Sequence, residues 1–103
     1  MNILITAANS AEAQRLKKKL APAAVILGDY LELPAFMLTS AQMIRLPNPD
    51  SLAYTHEMLR LCLDKNIDTI YALREEELQL LNSAAQLFEE YGIRIVHGSF
   101  SGQ

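Results

Sequence analysis

Glycine is missing from the one turn where a nucleotide-binding α/β domain would place it. The apolar segment Asn2-Ile3-Leu4-Ile5-Thr6 runs directly into Ala7-Ala8-Asn9-Ser10. The methyl groups of Ala7 and Ala8 therefore stand where a pyrophosphate requires close approach of the backbone. Dinucleotide binding is not expected, and no cofactor is implied. Cysteine is almost as scarce: Cys62 is the only one in 103 residues, which excludes an intramolecular disulfide and a cysteine-built zinc site within one chain. A reducing, cytoplasmic setting is the expectation. Stretches of about 18 uninterrupted apolar residues are absent, and so is a basic leader followed by an apolar segment, so neither a membrane span nor export is expected. Basic charge is in deficit, with 9 Lys and Arg against 12 Asp and Glu for a net charge of -3. Nucleic acid is an unpromising partner, because phosphate neutralisation needs clustered cations. The only histidines, His56 and His97, lack an i+4 histidine or acid partner, and no metal site is expected.

What is present is a balanced globular composition, half hydrophobic and one-fifth charged, of a length that suits one domain over 1–103. Its core should span about residues 2–96, with a short tail over 97–103. Ile3 to Thr6 reads as a strand feeding a helix from Ser10 to Leu20, whose inner face carries Ala13, Leu16 and Leu20 while Gln14, Lys17 and Lys18 turn outward. Pro22 ends that helix. The continuous apolar run Ala23 to Leu27, closed by Gly28-Asp29, reads as a second strand buried on both faces. Periodicity fails from Tyr30 to Ala41, and a partly packed loop is expected there. A third strand follows at Met43 to Leu46, then a helix capped by Asp50 or Ser51 and running to Lys65 with Thr55, Met58, Leu59 and Cys62 inward. The fourth strand falls within Asp68 to Leu73. Glu75-Glu76-Glu77 open a third helix, where acids suit the helix dipole, and Leu78, Leu81, Ala85 and Phe88 form its inner stripe. Gly92 sits where a helix end favours a left-handed residue, and Ile93 to Val96 is the fifth strand.

Strands alternating with helices require right-handed crossovers and a mainly parallel sheet covered on both faces. The expected fold is a three-layer, Rossmann-like α/β domain with five strands in the order 3-2-1-4-5.

Five residues are candidates for ligand contact at the C-terminal ends of the strands: Thr6, Asn9, Ser10, Asp29 and Arg74. The first turn offers backbone amides and a helix N-terminus to an anion, with Thr6, Asn9 and Ser10 adding polar side chains; a capped helix without ligand explains the same residues. Asp29 lies about where an acid meets a ribose hydroxyl in dinucleotide folds, although Gly-Asp is also ordinary turn chemistry. Arg74 faces the first turn across the switch point, and pairing with a neighbouring glutamate of the Glu75 to Glu77 run is its simpler use. Cys62 on an apolar helix face reads as inert core, and the basic run Lys17-Lys18-Lys19 as a solvated face. No catalytic residue can be assigned.

The succession Ile3-Leu4-Ile5-Thr6-Ala7-Ala8, Val25-Ile26-Leu27-Gly28-Asp29, Leu46-Pro47, Met58-Leu59-Arg60-Leu61-Cys62, Ile67-Asp68-Thr69-Ile70-Tyr71, Glu76-Glu77-Leu78 and Tyr91-Gly92-Ile93 resembles the N-terminal pre-ATP-grasp domain of carbamoyl-phosphate-synthase-like and related ATP-grasp ligases. The resemblance covers about residues 2 to 96. It implies an accessory domain that packs against an ATP-grasp module, while ATP, magnesium and the phosphate-binding lysines belong to that module. The expected role is association, either with a separately encoded ATP-grasp partner or with a second copy through an edge strand, and not catalysis by this chain alone. The competing expectation is a small-molecule domain, for a nucleotide or carboxylate, or a minimal enzyme using the strand-end crevice.

Overall fold

A computed structural model describes residues 2–8, 10–20, 24–30 and 43–97. Asn9, Pro22, the expected loop beyond Tyr30 and the tail with Phe100 lie outside the described residues. The elements in chain order are β1 (Asn2–Ile5), α1 (Ala11–Leu20), β2 (Val25–Asp29), β3 (Met43–Arg45), α2 (Tyr54–Asp64), β4 (Ile67–Ala72), α3 (Glu75–Ser83), α4 (Ala85–Glu90) and β5 (Arg94–His97). All pairings are parallel, and the sheet order is β3-β2-β1-β4-β5, as the alternation of strands and helices requires.

Successive side chains of a strand point to opposite faces, and the two cores separate accordingly. Ile5, Leu27 and Met43 pack with Ala13 and Leu16 of α1, joined by Ile3, Val25 and Tyr71. Their immediate neighbours in sequence, Leu4 and Ile70 with Ile26 and Ile44, point the other way and pack with α2, α3 and α4 through Tyr54, Met58, Cys62, Leu81 and Phe88. Both faces of the sheet are thus buried, which is why its strands read as unbroken apolar runs instead of alternating ones.

Three departures from the sequence expectation have a local reason. Helix α2 starts at Tyr54, later than Asp50 or Ser51. The Asn48 Oδ1 accepts from the Asp50 N–H at 2.8 Å and the Ser51 Oγ from the Ala53 N–H at 3.2 Å, so these polar side chains build turns ahead of the helix instead of capping it. Its buried stripe begins with Tyr54 and not Thr55. The expected third helix is two helices, because Ala84 leaves helical geometry at φ -112° and ψ 17°. Just before that break the Ser83 hydroxyl donates to the Leu80 carbonyl at 2.7 Å, a local bond that competes with helix continuation. Strand β2 runs through Gly28 to Asp29, so this pair is not a turn. A Cβ on Gly28 would meet Leu46 Cγ and Cδ2 at 2.8 Å, so glycine there permits close packing. Gly92 does occupy the left-handed region, at φ 77°.

Candidate functional site

Strands β2, β1 and β4 end side by side, and their C-terminal ends bring together most of the residues singled out from the sequence. Thr6 follows β1 and is fully buried. Its amide donates to the Tyr71 carbonyl at 3.1 Å and its hydroxyl accepts from the Leu73 amide at 2.9 Å, which ties the end of β1 to the end of β4. Ala7 takes a left-handed conformation, φ 55°, that costs an L-residue about 1–2 kcal/mol. The turn therefore has the backbone shape that glycine would supply, yet Ala7 and Ala8 fill it with buried methyl groups.

Ser10 acts as a helix cap. Its hydroxyl accepts from the Ala13 amide at 3.1 Å and donates to the Ala7 carbonyl at 2.8 Å, which satisfies one of the free amides of α1.

Asp29 and Arg74 meet. The Arg74 Nη2 donates to both carboxylate oxygens of Asp29, at 3.0 and 2.9 Å, with the Asp29 side chain at 0% exposure and Arg74 at 25%. Arg74 therefore does not pair with the adjacent glutamates, and Asp29 is not a turn acid in solvent. Since β1 lies between β2 and β4, neighbouring strands being about 4.8 Å apart, the ion pair reaches over the C-terminal end of the central strand. The guanidinium also sits 5.1 Å from the centroid of the Tyr30 ring, an attractive cation–π distance. Desolvation pulls the Arg74 pKa down, but the hydrogen bond and charge of Asp29 outweigh it, and the group is held above its ordinary value. At the rim, the Tyr30 hydroxyl donates to Glu76 Oε2 at 3.2 Å.

The residue that sequence reasoning missed is Glu77. Within a run of three acids it reads as part of a helix start or as a partner for Arg74, but it is at 0% exposure. Neither of its carboxyl oxygens finds a hydrogen-bond partner, and the same holds for the buried Tyr54 hydroxyl and Arg74 Nε. Burial, tempered by the nearby Thr6 hydroxyl and the Arg74 charge, pushes the Glu77 carboxyl up to about 7. Burial, and then the charge of Glu77, raises the Tyr54 phenol as well. The helical stripe offers one signal in retrospect, because Glu77 lies four residues before Leu81 and directly beside Leu78, both buried.

Cys62 is buried and its thiol is pushed up to about 12 by that burial, while His56 is exposed. Among the described residues no group of three or more His, Cys, Asp or Glu could hold a metal ion, and no helix is long and apolar enough to cross a membrane. A groove of about 330 Å³ runs between α4 and β5, lined by Ala85, Glu89, Gly92, Ile93, Arg94 and Ile95.

No curated protein sequence matches the chain. The family profile described as "PylC-like, N-terminal domain" matches residues 3–96, the same span that holds the parallel sheet and its bridged strand ends. The chain belongs to the PylC-like N-terminal domain family, a pre-ATP-grasp type of domain found in ATP-grasp ligases.

Proposed function

We propose that this domain serves an ATP-grasp ligase as its non-catalytic part, acting by association with a separately encoded ATP-grasp module or with a second copy of itself. One observation carries the reading: the charged groups at the switch point, Asp29 and Arg74, are spent on each other across the end of β1. In open α/β sheets the reacting ligand sits at that point, and here it is crossed by an ion pair internal to the fold. The crowded turn at Ala7 and Ala8 supports the same reading. So does the position of β5, beyond which no strand pairs among the described residues, since an edge strand left open is a template for pairing.

The test has two parts. Purified protein should neither hydrolyse ATP nor ligate, and light scattering of the chain, alone and mixed with the ATP-grasp module encoded nearest to it, should reveal a complex. Turnover by the chain alone that is lost on changing Ser10 or Asp29 would overturn the reading.

A second reading is favoured by the buried, unsatisfied carboxyl of Glu77 close to the crevice. In it Thr6, Asn9, Ser10, Asp29 and Arg74 line a site for a nucleotide or carboxylate. A thermal-shift panel of nucleotides, amino acids and carboxylates separates the two, because a ligand at 100 times its Kd adds about 2.7 kcal/mol of stability. No shift across the panel supports association.

A further inference from the structure

The helices on the two faces of the sheet carry opposite charge. On one face α1 packs over β2 with Ala13 and Leu16 turned to the core. Its exposed side carries Arg15, Lys17 and Lys18, and its one acid, Glu12, is half-buried. On the other face stand α2, α3 and α4, where the exposed acids Glu57, Asp64, Glu75, Glu76, Glu89 and Glu90 are set against a single cation within these helices, Arg60. Glu32 is the only Asp, Glu, Lys or Arg outside the described residues, so little charge escapes this account. The dipole of α1 explains cations in its last turn, Lys17 and Lys18 among them. It does not explain Arg15, or why the acids are kept to the far side.

The basic face also has an apolar strip beside its helix. Tyr71 joins the core under α1 and stands in register with Val96 of β5, so both point to the α1 side. Both are only half-buried, whereas Ile70 and Ala72, which flank Tyr71 in the chain and point the other way, are buried. The described helices packed on β4 and β5 are α2, α3 and α4, all on the far side.

We infer that the partner of the basic face is the acidic face of a second copy of this chain. The inference rests on the self-association form of the reading above and names its surfaces. Two basic faces repel each other, as do two acidic ones, so packings of like on like are disfavoured and only front-to-back contact joins opposite signs. In that contact Arg15 and Lys18, neighbours on one ridge of α1, meet the acids of α2, α3 and α4, and the strip at Tyr71 and Val96 supplies apolar area. Contact between unlike patches is heterologous. A pair formed in this way still shows one face of each sign, so assembly runs on past the dimer.

The test is light scattering of the full chain over a range of concentrations, in salt on the order of 10 mM and again on the order of 1 M, where the screening length falls from about 30 Å to about 3 Å. In low salt the average mass should rise with concentration to more than twice the monomer's 11.5 kDa, and in high salt it should return to the monomer. Arg15→Glu with Lys18→Glu should abolish the rise. So should Asp64→Lys with Glu90→Lys, which puts cations at helix C-termini, where they suit the dipole. Mixed together, the two double variants should form a one-to-one pair, because one keeps the acidic face and the other the basic face. Mass that grows equally in both salts, or in both variants, overturns the front-to-back contact and leaves self-association through another surface, such as the edge of β5. A chain that stays monomeric in low salt overturns it too, as does binding to phosphatidylserine vesicles in place of self-association, lost in Arg15→Glu with Lys18→Glu. Neither of those results touches pairing with an ATP-grasp module. The wild-type salt dependence and the Asp64 and Glu90 variant decide if the α1 variant does not fold.

Discussion

Replacing Glu77 by glutamine should make stability less sensitive to pH, and by a calculable amount. Folding moves the Glu77 carboxyl from an ordinary 4.5 to about 7, so the native state holds a proton that the unfolded chain has released across that window. Below 4.5 both states are protonated and the group adds no pH dependence. Between 4.5 and about 7 the unfolded state binds fewer protons, and stability falls as pH rises. Above about 7 both states are ionised and the loss is complete. At ~1.4 kcal/mol for each tenfold change in proton affinity, the full loss is about 3 kcal/mol. Glutamine fills the same volume and never ionises, so its own burial cost is a constant offset. The stability of Glu77→Gln minus that of wild type should therefore climb by about 3 kcal/mol from pH 4.5 to pH 8. Urea unfolding at four or five pH values measures it, as a relative midpoint shift on the order of 2 M. A difference that is flat with pH, or that falls as pH rises, would refute the assignment of a buried carboxyl.

Gly28→Ala should lower stability by about 1–3 kcal/mol, because the new Cβ would meet the buried Leu46 at 2.8 Å; a unchanged urea midpoint would show that the sheet and Leu46 yield freely. Ser10→Ala should cost about 1 kcal/mol by removing the hydroxyl that holds the Ala13 amide, with the loss largely recovered in Ser10→Asp. The Cys62 thiol, pushed up to about 12 by burial, should react with a thiol reagent at pH 8 far more slowly in native protein than in urea. Equal rates would place it at the surface.

The strand order was legible because it follows from alternation and handedness, which are properties of whole segments. Thr6, Ser10, Asp29 and Arg74 were also legible as residues at the ends of strands or the start of a helix. Their partners were not. Arg74 has three glutamates within reach along its own helix start, yet it bonds to Asp29 forty-five positions away, because β2 and β4 flank β1 and their ends converge. Local spacing cannot express that convergence. Glu77 escaped for a similar reason: the groups that act on it include Thr6 after β1, Asp29 at the end of β2 and Tyr54 of α2, and a run of acids carries no sign of which member will be buried. Asp50 and Ser51 were misjudged as helix caps because a capping side chain and a turn side chain are drawn from the same residue types one or two positions apart.

Ala7 sets what evolution or engineering could do with the first loop. Its main chain already takes the left-handed step, φ 55°, that glycine adopts freely. Two methyl groups stand in the way, and so does the Asp29–Arg74 ion pair over the end of β1. Conversion to a phosphate grip would begin with subtraction at Ala7 and Ala8, with the hydroxyls of Thr6 and Ser10 left where they are.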